Sequence, residues 1–214
     1  EQELATRHLE ELIPGKDLLL LDRGYPSLAL MFELQQKGVH YCIRMQTDWW
    51  IAVRDMIKEG ETDKIVELKL PAKNKALLTK YNTSIDLIKC RLVVIDLPTG
   101  EKEVLCTSVL DNAILPYDCF APLYHCRWNI EEGYKLFKSR LQLESFSGKT
   151  AKAVKQDIYA KAFMMTLMAI MAFPIEEKIR REYQQERKHP HKVNRTNALS
   201  LVREMCQNIF IRAM

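Results

Sequence analysis

Tyr124, Arg127, Glu131 and Lys138 follow one another at spacings of three, four and seven residues in the stretch Y-H-C-R-W-N-I-E-E-G-Y-K-L-F-K. At 100° per residue, a continuous helix gathers them within an arc of roughly 60°, setting a phenol, two cations and one carboxylate on one side. Leu123, Ile130, Tyr134, Phe137 and Leu141 form an adjoining, mostly apolar arc. Such a helix buries one stripe and shows a chemical stripe beside it. Ordinary solvated helices carry similar pairs: Arg127 with Glu131, and Glu131 with Lys135, are i,i+4 neighbours of the kind worth about 0.2–0.5 kcal/mol.

A second carboxylate gives the spacing a purpose. Asp22 closes the run D-L-L-L-L-D, 109 residues before Glu131. A carboxylate just past a buried strand and one on a helix against the same sheet can converge. Oxygen ligands of this kind suit Mg²⁺, which keeps several waters for substrate. Two such ions roughly 3.5–4 Å apart activate an attacking oxygen and stabilise a leaving one in phosphoryl transfer. Arg127 and Lys138 then hold phosphates that carboxylates alone would repel.

The elements that must position these residues follow from the surrounding pattern. Leu4, Ala5, His8, Leu9, Leu12 and Ile13 predict a helix over residues 1–13, ended by Pro14-Gly15. The short continuous apolar run at 17–22 predicts a central strand buried on both faces. Ser27 caps a helix to about Gln36, Gly38 closes it, and residues 39–45 form the next strand. Strand, helix and strand at this spacing make a βαβ unit, with Asp22 at the carboxyl end where open α/β sheets present their functional groups. From 47 to 115 the texture is β-rich, with runs at Lys64–Leu70, Ile85–Leu97 and Glu101–Val109, the last two joined by the hairpin signal Pro98-Thr99-Gly100. Helices resume near Asp118, read as a cap, with a kink near Trp128-Asn129. Thr150 caps a long helix carrying the apolar run Ala162–Phe173, read as buried. A basic segment after Pro174 leads to a last amphipathic helix over about 196–213.

Composition sets limits rather than a function. The 214 residues suffice for one domain with a sizeable core or a large insertion, and 47% hydrophobic with 28% charged residues excludes disorder. A net charge of +4 is only mildly basic, but basic residues concentrate towards the C-terminal half. Between 121 and 155 seven Lys or Arg face three Glu, and 178–195 adds Lys178, Arg180, Arg181, Arg187, Lys188, Lys192 and Arg195. Six cysteines without a C-x-x-C pair argue against zinc and for reduced thiols in a cytosolic protein. The longest apolar run, about 14 residues against the roughly 20 a bilayer needs, predicts no membrane span.

Other motifs carry less. S-G-K-T at 147–150 lacks the earlier glycine of a phosphate-binding loop and reads as a turn with Thr150 capping a helix. His189 and His191 have no carboxylate or thiol neighbours in sequence, and Trp49-Trp50 reads as packing in preference to base stacking. No nucleophilic triad stands out.

With these residues the sequence resembles the DDE transposases of the insertion-sequence-4 type. Their signature, Tyr, two residues, Arg, three residues, Glu, six residues, Lys, matches Tyr124, Arg127, Glu131 and Lys138 without departure. Asp22 in D-R-G-Y looks like the family's second catalytic Asp, and the β-rich stretch like its insertion. The resemblance implies a ribonuclease-H-like α/β fold, with a discontinuous core over 1–46 and 116–175, the insertion over 47–115 and a basic helical segment over 176–214. It implies Asp22 and Glu131 as catalytic ligands of two Mg²⁺ or Mn²⁺ ions, Tyr124 and Arg127 on a backbone phosphate, and Lys138 on DNA near the reaction. Lys135, Arg140 and Arg23 are added as phosphate contacts from charge and position alone. The implied reaction is hydrolysis at a transposon end, followed by attack of the freed 3′ hydroxyl on target DNA. The implied setting is a homodimeric synaptic complex with double-stranded DNA in a bacterial, nucleoid-associated cytoplasm.

One departure matters. The family's first catalytic Asp lies upstream of the helix with which this chain opens, and Asp17 sits at the wrong end of its strand. The expectation is therefore a fold lacking its first strands, a fragment of the catalytic domain with negligible cleavage on its own. The alternatives are a catalytically dead DNA-binding relic and a nuclease of the same fold that cleaves without joining.

Overall fold

Leu18–Leu21 (β1) and His40–Met45 (β2) pair in parallel, Leu18 opposite His40 and Leu21 opposite Ile43. The helix Leu28–Gln36 (α1) connects them, with Ser27 extended as its N-cap, giving the expected βαβ unit. The computed structural model describes residues 8–139, 145–183 and 192–212. Three more strands, Asp63–Lys69 (β3), Leu87–Asp96 (β4) and Lys102–Thr107 (β5), fall where the β-rich runs predict them. They do not form a sheet of their own. β5 pairs antiparallel with β2, Cys42 opposite Thr107, and the single sheet runs β1-β2-β5-β4-β3. The β4–β5 hairpin turns where Gly100, at φ 83°, donates its N–H to the Leu97 carbonyl at 2.9 Å. A positive φ of this size suits glycine, which has no Cβ to clash.

Among the described residues β1 pairs with β2 alone. A continuous apolar run reports that both faces are covered and is silent about how many neighbours a strand has. Both faces are indeed covered. Leu19 and Leu21 join the larger core with Phe32, Leu34, Tyr41, Ile43, Leu92 and Cys106, under α1 and the helix Ile51–Glu59 (α2). Leu18 and Leu20 join Cys42, Val93, Ile95, Leu105, Phe120 and Tyr124 on the other side. The two-residue period of the strands sorts alternate side chains between these clusters.

Arg91 is 2% exposed on β4 in the second layer. Its Nε donates to an Asp63 oxygen at 2.7 Å, and its other nitrogens reach the Leu115 carbonyl at 2.7 Å and Asn112 at 3.0 Å. Its guanidinium also lies 5.1 Å from the Phe120 ring centroid. A buried cation is tolerated only when its donors are satisfied. Here they fasten residues 112–115, the approach to the next helix, onto the sheet.

Several local expectations need correction. Of the helix expected over 1–13, the first seven residues lie outside the described set, His8 is helical, and residues 9–12 form turns and bends. The Ile13 N–H donates to the Asp17 carboxylate at 2.7 Å, so Asp17 serves that turn. α2 interrupts the β-rich stretch; Val53 and Met56 are buried on it and Ala52 and Ile57 pack partly buried against the same core, a stripe confined to nine residues. Asp118 caps nothing: Tyr117–Cys119 is a 3₁₀ turn leading into the helix Phe120–His125 (α4), which follows a short helix Ala76–Lys80 (α3).

The chain divides into two compact units, Glu1–Trp128 and Asn129–Met214. The second holds nearly all of Trp128–Ser139 (α5) and the whole of Ala151–Tyr183 (α6) and Arg195–Arg212 (α7). The Thr150 hydroxyl accepts the Ala153 N–H at 3.2 Å, which is the capping role expected of it. Asn194 caps α7 through the N–H groups of Thr196 and Asn197. Met168 and Ala172 of α6 bury against Leu199 and Val202 of α7. The rest of the apolar run is not buried as expected: Phe163, Ile170 and Phe173 are each more than 60% exposed. Helix α6 also continues past Pro174. By length and composition alone, Ala151–Glu182 is long and apolar enough to cross a membrane, because a helical window tolerates Lys161 where an unbroken run does not. One such helix is weak grounds for a membrane assignment.

Candidate active site and nucleic-acid interface

β1 ends at Leu21, and the chain turns at once. The Asp22 carboxylate accepts the Arg23 N–H at 2.7 Å, and the Asp22 carbonyl accepts the Tyr25 N–H at 3.0 Å. This turn leaves Asp22 half-buried and Arg23 exposed. In the sheet register, Asp22 lies one step beyond the Leu21–Ile43 pair, level with Arg44. Arg44 meets Glu103 of β5 at 3.1 Å. Nothing in the spacing of a single strand marked Arg44 or Glu103; a charged residue inside the otherwise apolar V-H-Y-C-I-R-M was the available signal.

The signature stretch is not one helix. α4 ends at His125, the Cys126 and Arg127 N–H groups bond back to Leu123 and Tyr124 at 3.1 and 3.0 Å, and α5 starts at Trp128. These three-residue bonds tighten the chain, so the 100° count does not carry across them. The expected kink is a break, one to two residues earlier than the pattern placed it. The apolar arc also divides. Phe120 and Tyr124 enter the core, whereas Ile130 and Tyr134 are 59% and 62% exposed. Leu141 and Arg140 lie outside the described residues.

Tyr124 is 2% exposed, and its hydroxyl donates to the Leu21 carbonyl at 3.1 Å. Burial pushes its phenol well above the usual range; the Arg127 guanidinium opposes that shift and the Asp22 carboxylate adds to it. The group remains a protonated donor at any physiological pH. The Arg127 guanidinium is 5.7 Å from the Tyr124 ring centroid and 5.6 Å from that of Trp128, cation-over-ring distances. The first unit thus brings Asp22, Tyr124 and Arg127 into one neighbourhood.

Glu131, Lys135 and Lys138 belong to the second unit. Glu131 is in the first turn of α5 and Lys138 in its last, the order that suits the helix dipole. Lys135 pairs with Glu132, its i,i+3 partner, at 2.7 Å, and the Glu131 charge acts on it as well. That bond holds the Glu132 carboxyl below its usual range, and the Lys192 and Arg195 charges act the same way. Lys135, Lys192 and Arg195 are therefore within electrostatic reach of Glu132 in this unit.

Among the described residues no three His, Cys, Asp or Glu side chains gather closely enough to hold a metal ion. Asp22 lies in the first unit and Glu131 in the second, and each carries the hard carboxylate oxygens that a divalent ion such as Mg²⁺ prefers. Trp49 and Trp50 follow β2, their ring centroids 6.2 Å apart. Trp50 packs on the larger core, which bears out the packing reading for that ring, while Trp49 is half exposed. His189 and His191 lie outside the described residues. The Ser147 N–H of S-G-K-T donates to the Asp157 carboxylate at 2.6 Å, a bond within the protein.

A family profile described as "Transposase DDE domain" matches residues 1–167. A curated relative, transposase InsG for insertion sequence element IS4 from Escherichia coli K12, is 26% identical over 188 residues, which are 84% of this chain and 40% of that protein. The chain spans about two fifths of the length of the relative it matches.

Proposed function

The chain belongs to the DDE transposase family, of the insertion-sequence-4 type, and from that premise we propose that it carries part of the catalytic site of a DNA transposase. In this reading β1, α1 and β2 belong to a ribonuclease-H-like core formed by residues 1–46 and 116–175. Residues 47–115 are an insertion whose strands extend the same sheet, and residues 176–214 a basic helical extension. Asp22 and Glu131 hold divalent ions, Mg²⁺ or Mn²⁺, with two in the working site. When bound, such ions polarise the scissile phosphate and lower the pKa of the attacking water.

The protein's own groups do the rest. Asp22 is presented by the turn that its own carboxylate and carbonyl close, so little reorganisation is needed on loading. Arg127 offers a forked guanidinium matched to a backbone phosphate. Lys138 and Lys135 add positive charge along α5, where the negative DNA backbone is drawn towards the carboxylates. The substrate is double-stranded DNA at the ends of an insertion sequence, then target DNA, handled by a homodimer in a synaptic complex in the bacterial cytoplasm.

The observation that carries the reading is Asp22 at the carboxyl end of a parallel strand, together with the Tyr-Arg-Glu-Lys spacing. The test uses the protein in its full natural length on oligonucleotides bearing the element's ends, with Mn²⁺ or Mg²⁺. Asp22→Asn and Glu131→Gln are each expected to reduce nicking to background while DNA affinity in EDTA stays within about two-fold. Undiminished cleavage by either variant would falsify the site assignment. Cleavage that never joins an end to target DNA would make the protein a nuclease of this fold.

A further inference from the structure

Within the signature, the phenol has surroundings that do not match the role the resemblance gives it. A tyrosine that grips a phosphate needs its hydroxyl at the surface. The Tyr124 side chain lies in the sheet's second layer with Phe120, Cys42, Leu18 and Leu20, and its hydroxyl is engaged by the main chain of Leu21. That carbonyl belongs to the peptide that leads directly into Asp22. Because a peptide unit is planar, fixing its oxygen also fixes the Asp22 nitrogen and Cα. Asp22 then closes its own turn through Arg23 and Tyr25. A tether that reaches across 103 residues thus ends one peptide before the carboxylate.

We propose that Tyr124 is a positioning residue for Asp22: its hydroxyl fixes the last peptide of β1 and so the direction in which Asp22 offers its carboxylate. It does not contact DNA. The inference rests on the reading of Asp22 as a metal ligand. Arg127, whose guanidinium lies 5.7 Å from the Tyr124 ring centroid, keeps the phosphate-contacting role in this reading.

The test compares Tyr124→Phe, which keeps the ring and removes the hydroxyl, with Phe120→Leu, which loosens the same cluster and leaves the Tyr124–Leu21 hydrogen bond in place. Amide exchange at Arg23 and Tyr25 needs neither metal nor activity and reports the turn directly. In Tyr124→Phe it should accelerate roughly five-fold beyond Phe120→Leu, the factor one neutral hydrogen bond is worth. The metal concentration for half-maximal cleavage should rise by a similar factor, with affinity for end DNA in EDTA unchanged. A fall in DNA affinity with wild-type exchange would show a phosphate contact and overturn the proposal. So would exchange, or a metal requirement, no different from Phe120→Leu, which would mean plain packing. A wild-type protein inert on its DNA is a separate result: it refutes the transposase reading before any variant is compared, and the exchange rates still decide whether the hydroxyl orders the Asp22 turn.

Discussion

The two units solve the problem of holding a carboxylate in different ways. In the first, a five-stranded sheet is covered on both faces, and side chains such as Phe32, Tyr41, Leu92 and Phe120 are fully buried. Asp22 inherits that rigidity through the end of β1. In the second, only Met168, Ala172, Leu199 and Val202 form a buried cluster among the described residues. Glu131 there sits on a helix whose neighbours Ile130 and Tyr134 are exposed. A signature that reads as one helix face in the sequence is shared by two structural objects, and the break between His125 and Trp128 falls inside it. Local precision therefore differs across the signature, with Tyr124 fixed by core packing and Lys138 exposed on α5.

Phe120→Ala tests the rigid side hardest. The ring projects from α4 and is fully buried with Cys42, Val93 and Leu105 of the sheet, and the Arg91 guanidinium lies against it. Its removal should cost about 3–5 kcal/mol, from lost burial plus the cavity left behind. Urea unfolding followed in the first unit would show this, and a loss below about 1 kcal/mol would mean the layer around Tyr124 collapses easily and positions nothing.

The same layer predicts an alkaline weakness. Burial, reinforced by the Glu103 charge, pushes the Cys42 thiol up to about 12. A thiol raised in the folded state favours the fold while protonated, so its stabilisation is complete below the ordinary value near 9 and is lost as pH climbs from there through 12. Stability should fall by up to about 1.4 kcal/mol per pH unit across that window from this group. Lysines and tyrosines titrate there too, so the measurement is the difference between wild type and Cys42→Ala, whose curve should be flatter. Parallel curves would mean that Cys42 is hydrated in solution and the layer is open.

These contrasts also explain what was legible in advance. β2 to β5 and α1 were readable because alternating or continuous apolar runs, Gly38 and Pro98-Thr99-Gly100 punctuate them in sequence order. The order of the strands within one sheet was not, because a strand's own residues do not name its partners. α2 was missed because its stripe of Val53, Met56 and Ile57 spans only nine residues between β-like runs. Asp22 at a strand end was legible from its own neighbours, whereas the bond between Tyr124 and Leu21 joins positions far apart and depends on how α4 lies on the sheet. The continuous helix was an overreach of periodicity: 3.6 residues per turn predicts a face only while the hydrogen-bond pattern persists, and at Cys126 and Arg127 it tightens.

The smallest predicted effect tests the open side of the comparison. Phe163 is 62% exposed on α6, four residues after Tyr159, which is 72% exposed. A side chain in water contributes little beyond helix propensity, and alanine is the better helix former, so Phe163→Ala should change stability by no more than about 0.5 kcal/mol. Met168→Ala, five residues on and buried against α7, should cost about 2–5 kcal/mol in the same measurement if the α6–α7 contact carries the unit. Unfolding monitored by helix signal separates the two outcomes. If Phe163→Ala instead costs more than 2 kcal/mol, the face it occupies is covered in solution and α6 is core on more than its α7 side. The contrast between a rigid sheet and a thinly packed helical unit would then fail, and Glu131 would have to be regarded as held as firmly as Asp22.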